Sequence, residues 1–154
     1  MRSLDHPLIP KIIDIVKDPN DLPCIIMELC SNSLEEMIKE VEKEPDKITE
    51  KDVLKILSMV SISLWYIHSK EIVHRDLKPH NILVANIGSK KIFLLSDFGI
   101  SKKKGVSFIT TVREKRTLLY SSIEQLKELD PRPSFDMYSL GVMAYRIMKG
   151  EVPY

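Results

Sequence analysis

The chain has 154 residues, 44% of them hydrophobic and 29% charged, with 23 Lys and Arg against 22 Asp and Glu for a net charge of +1. That length admits one domain or part of a larger one and excludes two, and a chain of this size buries roughly 70% of its unfolded surface, so it needs no disulfide or structural metal to form a core. The hydrophobic content excludes a disordered tail, and the near cancellation of charge provides no field to attract nucleic acid or an anionic membrane.

No apolar run approaches the length of about 18 residues that a membrane span needs. Asp5 and Pro7 interrupt the N-terminus before any apolar stretch, which is unlike a secretory signal, so the expected compartment is cytoplasmic or nuclear. Ile9 to Val16 reads as a strand, Asp18-Pro19-Asn20-Asp21 as a turn, and Pro23 to Cys30 as the partner strand of a hairpin. Cys24 and Cys30 would stand about 20 Å apart on that strand, beyond disulfide reach, and are expected as reduced thiols. Ser33 and Glu36 have capping-box spacing and open a helix through Leu34, Ile38 and Val41 that ends before Pro45. Thr49 and Asp52 open a longer helix, in which Val53, Ile56, Leu57, Val60, Leu64 and Ile67 follow the 3.6-residue period.

The pattern then changes. Ile82-Leu83-Val84 and Ile92-Phe93-Leu94-Leu95 flank the turn sequence Asn86-Ile87-Gly88-Ser89 and predict a second hairpin. Residues 101–120 are polar, basic and aperiodic, and read as one long loop of the kind that is usually functional or disordered. Ser122 and Gln125 cap a short helix. From Asp136 to Lys149 the apolar residues Met137, Leu140, Val142, Met143, Tyr145, Ile147 and Met148 surround the axis, which predicts a helix buried on most sides and stopped by Gly150.

The chemistry concentrates in His74-Arg75-Asp76-Leu77-Lys78-Pro79-His80-Asn81, followed a hairpin's length later by Asp97-Phe98-Gly99. Phosphoryl transfer from ATP needs an acceptor hydroxyl in line with the γ-phosphate, metal ions on the phosphate oxygens, and positive charge where negative charge accumulates. Asp76 suits the acceptor hydroxyl, Lys78 the transferring phosphoryl, and Asn81 with Asp97 a magnesium ion, which takes one or two protein oxygens beside phosphates and waters. Alone, Asp-Phe-Gly is a common turn tripeptide. Five specified residues at roughly one in twenty each arise by accident in only about one such chain in ten thousand, and the tripeptide downstream leaves coincidence negligible.

At these residues the chain resembles the eukaryotic protein-kinase family, of the serine/threonine type to judge by Lys78 after Asp76 and Thr117 before Glu124. The resemblance implies an α+β, protein-kinase-like fold, with a small-lobe remnant and hinge in residues 1–32 and a helical large lobe in residues 33–154. It implies a protein Ser/Thr acceptor, ATP and Mg²⁺, with Asp76, Lys78 and Asn81 catalytic and Asn81 and Asp97 on the metal. Met27 would guard the back of the adenine pocket, Glu28 and Cys30 would offer backbone groups to the adenine edge, and Leu83 would form its floor. His74, Phe98, Gly99 and Glu124 fall on family structural positions, and Asp136 would brace the backbone of His74 and Arg75 or act as an ordinary helix cap. Arg75 would pair with a phosphate on the loop carrying Thr110 and Thr111. Ile123 and Arg116 depart from the proline and glycine usual there.

A narrower echo, in residues 28–34 and 96–102, is of the endoplasmic-reticulum stress sensors that join kinase and endoribonuclease domains. There is no glycine before Gly88, hence no glycine-rich phosphate loop, and Lys11 lies too near Met27 to be the third-strand lysine. The expectation is therefore an incomplete kinase domain, inactive by itself, the alternative being a non-catalytic pseudokinase or interaction module.

Overall fold

The computed structural model describes residues 4–43, 48–98, 102–103, 118–127 and 129–154. The β-branched runs on either side of Asp18 form a hairpin in which β1 (Ile12–Lys17) pairs antiparallel with β2 (Pro23–Met27), Ile15 facing Ile25, with a bulge between Ile12 and Asp14. Asp18 shapes the turn by accepting from the backbone N–H groups of Asn20 and Leu22, each at 2.8 Å, and Asp21 takes a left-handed φ of 64°. The first strand begins at Ile12 and not at Ile9, because Pro10 has no N–H for a ladder, and Ile9 is buried in the core instead. The second ends at Met27, short of Cys30, because the chain then crosses to another sheet, where the Ser31 N–H and hydroxyl both donate to the Val84 carbonyl at 2.9 and 2.8 Å. Cys24 and Cys30 are free thiols.

That crossing makes β3 (Asn32–Ser33) the edge of a three-stranded sheet ordered β3-β5-β6, with β5 (Ile82–Ile87) and β6 (Lys90–Leu95) joined through Gly88 at φ 58°. Both helix starts follow from the paired caps. The Ser33 N–H donates to Glu36 at 2.8 Å where α1 (Leu34–Lys43) opens, and Thr49 and Asp52 bond reciprocally at 3.0 and 3.2 Å where α2 (Glu50–Ser69) opens. The buried stripe of α2, Val53, Ile56, Val60, Leu64 and Ile67, meets Leu34, Ile82, Phe93 and Leu95 to form the core between helix and sheet. No helix among the described residues is long and apolar enough to cross a membrane.

Two features went unread. β4 (Ile72–Val73) pairs with β7 (Lys102–Lys103), so the aperiodic segment begins with a short strand, and two-residue strands carry no periodicity to detect. The last helix starts early, with Pro133 at its first position, and the elements close with α3 (Ile123–Leu126) and α4 (Pro133–Lys149). Gly150 ends α4 at φ 80°. The expectation that this helix is buried on most sides does not hold: Phe135, Leu140, Met143 and Ile147 are buried against α2 and β4, while Met137, Tyr138, Tyr145 and Met148 are exposed, since no described element covers the other side. Helices and antiparallel sheet share one core, which is an α+β arrangement.

Candidate active site

The segment 74–81 leaves β4 and is held by three elements. Asp136, fully buried on α4, accepts from the backbone N–H of His74 at 2.9 Å and of Arg75 at 2.8 Å, and its Oδ2 lies 2.8 Å from His68 Nε2 on α2. It sits a turn inside the helix, so it is no N-cap; that position belongs to Arg132, whose side chain caps nothing. The His74 ring is fully buried, donates from Nε2 to the Ser96 carbonyl at 2.8 Å and meets the edge of Phe98 with centroids 5.1 Å apart. With Nε2 the donor, Nδ1 is free to accept the Asp76 N–H at 3.3 Å.

Arg75 and Asp97 adopt left-handed φ values of 71° and 59°, a conformation costing a non-glycine residue about 1–2 kcal/mol. Such strain persists only where the surroundings over-determine it, and here it falls within both motif segments. The Asp76 carboxylate, nearly buried, accepts through Oδ2 from Lys78 Nζ at 2.9 Å and from Asn81 Nδ2 at 3.0 Å. Asn81 Nδ2 also donates to the Asp76 carbonyl at 2.8 Å, because the 3₁₀ turn Pro79–Asn81 folds residue 81 back over residue 76. The Asn81 carbonyl in turn accepts the Ser96 N–H and hydroxyl, both at 2.9 Å, which ties the motif to the residue before Asp97.

A cavity of about 390 Å³ opens beside this cluster, and Met27, Leu83, Asn81, Asp97 and Phe98 line it together with Ile12 and Ile25 of the first hairpin. Its lining combines these apolar side chains with the oxygen-bearing side chains of Asn81 and Asp97. Glu28 and Cys30 are not among the residues lining it; the Glu28 carboxylate accepts the Lys11 N–H at 2.8 Å, and Cys30 Sγ lies 4.0 Å from the Glu28 carbonyl. Burial, and then the Glu28 carboxylate, push the Cys30 thiol up from its ordinary value. Gly99, Thr110, Thr111 and Thr117 lie outside the described residues. Glu124 is exposed on α3, its carboxyl held below the ordinary value by its own backbone N–H and by Ser122.

The donor set fits magnesium. Among the described residues no group of three His, Cys, Asp or Glu could hold a metal alone, whereas Asn81 and Asp97, which both line the cavity, could supply the one or two protein oxygens that a magnesium shared with phosphates takes. Asp76 Oδ1 is buried and has no hydrogen-bond partner among the described residues, which leaves an acceptor for an O–H group brought by a ligand.

Sequence reasoning missed a second cluster next to Lys78. Arg146 of α4 forks onto the buried Glu35 of α1 at 2.6 and 3.0 Å and donates to the Tyr120 hydroxyl at 2.7 Å, with Lys39 and His80 within 3.8 Å of the same carboxylate. No local pattern links residues so distant in the chain.

Comparison with known proteins agrees with this geometry. The family described as protein kinase domain matches residues 1–154. Similar relatives include a putative ribosomal protein S6 kinase alpha-2 of Caenorhabditis elegans, 32% identical over 97% of this chain and 20% of its own length. Serine/threonine-protein kinase TIO of Arabidopsis thaliana is 32% identical over 100% of this chain and 11% of its own length, and serine/threonine-protein kinase PrkC of Bacillus subtilis is 31% identical over 99% and 22%. The chain thus spans about a tenth to a fifth of the length of these relatives. With a match that runs from the first residue to the last and includes the cluster around Asp76, the chain belongs to the protein kinase domain family.

Proposed function

We propose that the chain is the catalytic part of a protein serine/threonine kinase, with residues 1–32 contributing small-lobe strands and hinge and residues 33–154 the large lobe. The observation that carries this is a buried carboxylate, Asp76, held between Lys78 and Asn81, where Asn81 also lines, with Asp97, Met27 and Leu83, the neighbouring cavity. Met27 and Leu83 would hold an adenine ring by burial, and Asn81 and Asp97 would hold the magnesium that bridges the phosphates of ATP and neutralises their charge. Asp76 would orient the acceptor hydroxyl and take its proton through the unpaired Oδ1, while Lys78 would face the transferring phosphoryl group. The names of the relatives support a Ser or Thr acceptor. They give no support to the narrower likeness to endoplasmic-reticulum stress sensors, which is not part of the proposal.

No glycine precedes Gly88, so the chain supplies no glycine-rich lid and is expected to turn over at no measurable rate alone. The test therefore separates binding from chemistry. Calorimetric titration of the chain with Mg·ATP is expected to show weaker binding for Asp97→Asn and nearly unchanged binding for Asp76→Asn. In a fusion taking its glycine-rich loop and strand lysine from a relative, Asp76→Asn should lower the single-turnover rate about 10²-fold or more. Strong loss of ATP affinity in Asp76→Asn, or normal turnover in Asp97→Asn, would show that the roles are wrongly assigned.

A further inference from the structure

We propose that Gln125 is a positioning residue for Asp76, holding from α3 the peptide plane that carries it; this rests on the reading of Asp76 as the residue facing the acceptor. The Arg75 carbonyl and the Asp76 N–H are two edges of one planar unit. Its N–H edge meets His74 Nδ1 at 3.3 Å, and its carbonyl edge accepts Gln125 Nε2. The preceding N–H, that of Arg75, is held by Asp136 at 2.8 Å. The left-handed turn at Arg75 is thus gripped by an acceptor on one side and a donor on the other, the donor coming from a residue 50 positions away. Rotating this unit would swing the Asp76 carboxylate away from Lys78 and Asn81.

The chemistry of the grip requires a donor, since only an N–H or O–H group can meet a carbonyl. Packing alone would not choose glutamine: Gln125 is 1% exposed, and its Oε1 has no partner among the described residues, so the amide is buried half satisfied. An apolar side chain of equal length would remove that orphan acceptor together with the bond to the Arg75 carbonyl, so global stability should barely change. What glutamine adds is direction. Gln125 is itself placed by Ser122, whose hydroxyl accepts its N–H at 3.2 Å, and Ser139 of α4 fixes the same segment by donating to the Tyr120 carbonyl at 2.7 Å. The segment that leads into α3 is therefore mechanically linked to the orientation of Asp76.

Amide hydrogen exchange on the chain tests this without need of turnover. Gln125→Met, matched in length but with no donor, should raise exchange over residues 72–78 by about tenfold, leave α2 and α4 protected, and keep the melting temperature within about 2 °C. Gln125→Leu should do the same. Unchanged exchange at 72–78, or a uniform rise with a fall in melting temperature, would overturn the proposal, because Gln125 would then be inert or merely packing. In the lidded fusion, Gln125→Met should lower kcat about tenfold with the KM for ATP unchanged, and should cost nothing further when Asp76 is already Asn. An additive loss in the double variant would likewise overturn it, whereas an Asp76→Asn variant with full activity would refute the role of Asp76 and not the exchange result.

Discussion

Glu35 shows how one residue's charge is governed by partners far away in the chain. Burial alone would raise its carboxyl, but the hydrogen bonds and charge of Arg146, with His80 and Lys39 behind them, leave it below its ordinary value of 4.5. A carboxyl whose folded value is depressed contributes stability that is fully present above the ordinary value and is lost as the pH falls through the folded one. Arg146→Met reverses the sign, since the buried carboxylate is left with only the looser Lys39 and His80. The expected cost at pH 7 is about 3 kcal/mol, at the lower end for a broken buried pair. That deficit should shrink toward pH 4 as Glu35 takes up a proton, and urea unfolding of wild type and variant at both pH values measures it.

Among the elements, α2 supports the site most directly, for its stripe carries the sheet that delivers Asn81 and Asp97, and its last turn brings His68 to Asp136. Its start depends on the reciprocal bonds of Thr49 and Asp52, which hold the Asp52 carboxyl below its ordinary value of 3.8. Thr49→Ala should therefore cost about 1 kcal/mol and Thr49→Ser very little. Ile56→Ala, at a position with no exposure, should cost about 3 kcal/mol through the cavity it leaves. Urea denaturation followed by circular dichroism separates the two magnitudes, and a cap effect equal to the core effect would contradict this account of the helix.

At the scale of the whole molecule, the first hairpin is the weakly supported part. Among the described residues β1 and β2 form a two-stranded sheet, which is marginal by itself, and both of its faces carry exposed apolar side chains, with Ile13 at 65% and Ile26 at 43% on the side away from the cavity. The purified chain is expected to bind a hydrophobic dye and to scatter light increasingly with concentration. Ile13→Thr with Ile26→Thr keeps β-branched residues in the strands and should reduce both signals without lowering the melting temperature of the helical part. Dye binding unchanged by the pair would place the sticky surface elsewhere, for instance on the exposed side of α4.

What the sequence determined by itself was everything specified over a few residues. The caps at Ser33, Thr49 and Ser122, the stripe of α2 and the hairpin about Gly88 all depend on neighbours within a turn or two, so their signals are local and legible. The tertiary structure alone decided which distant groups meet. Arg146 reaches Glu35 across 111 positions, His68 shares Asp136 with the backbone of the motif across 68, and Gln125 reaches Arg75 across 50. Similarly, α4 has apolar residues all round, and only its contacts select the side that is buried. The physical reason is one of range: a cap or a periodic stripe is selected by the chain next to it, whereas a buried ion pair or a clamped carbonyl depends on where the packing of helices on sheet happens to bring its partner.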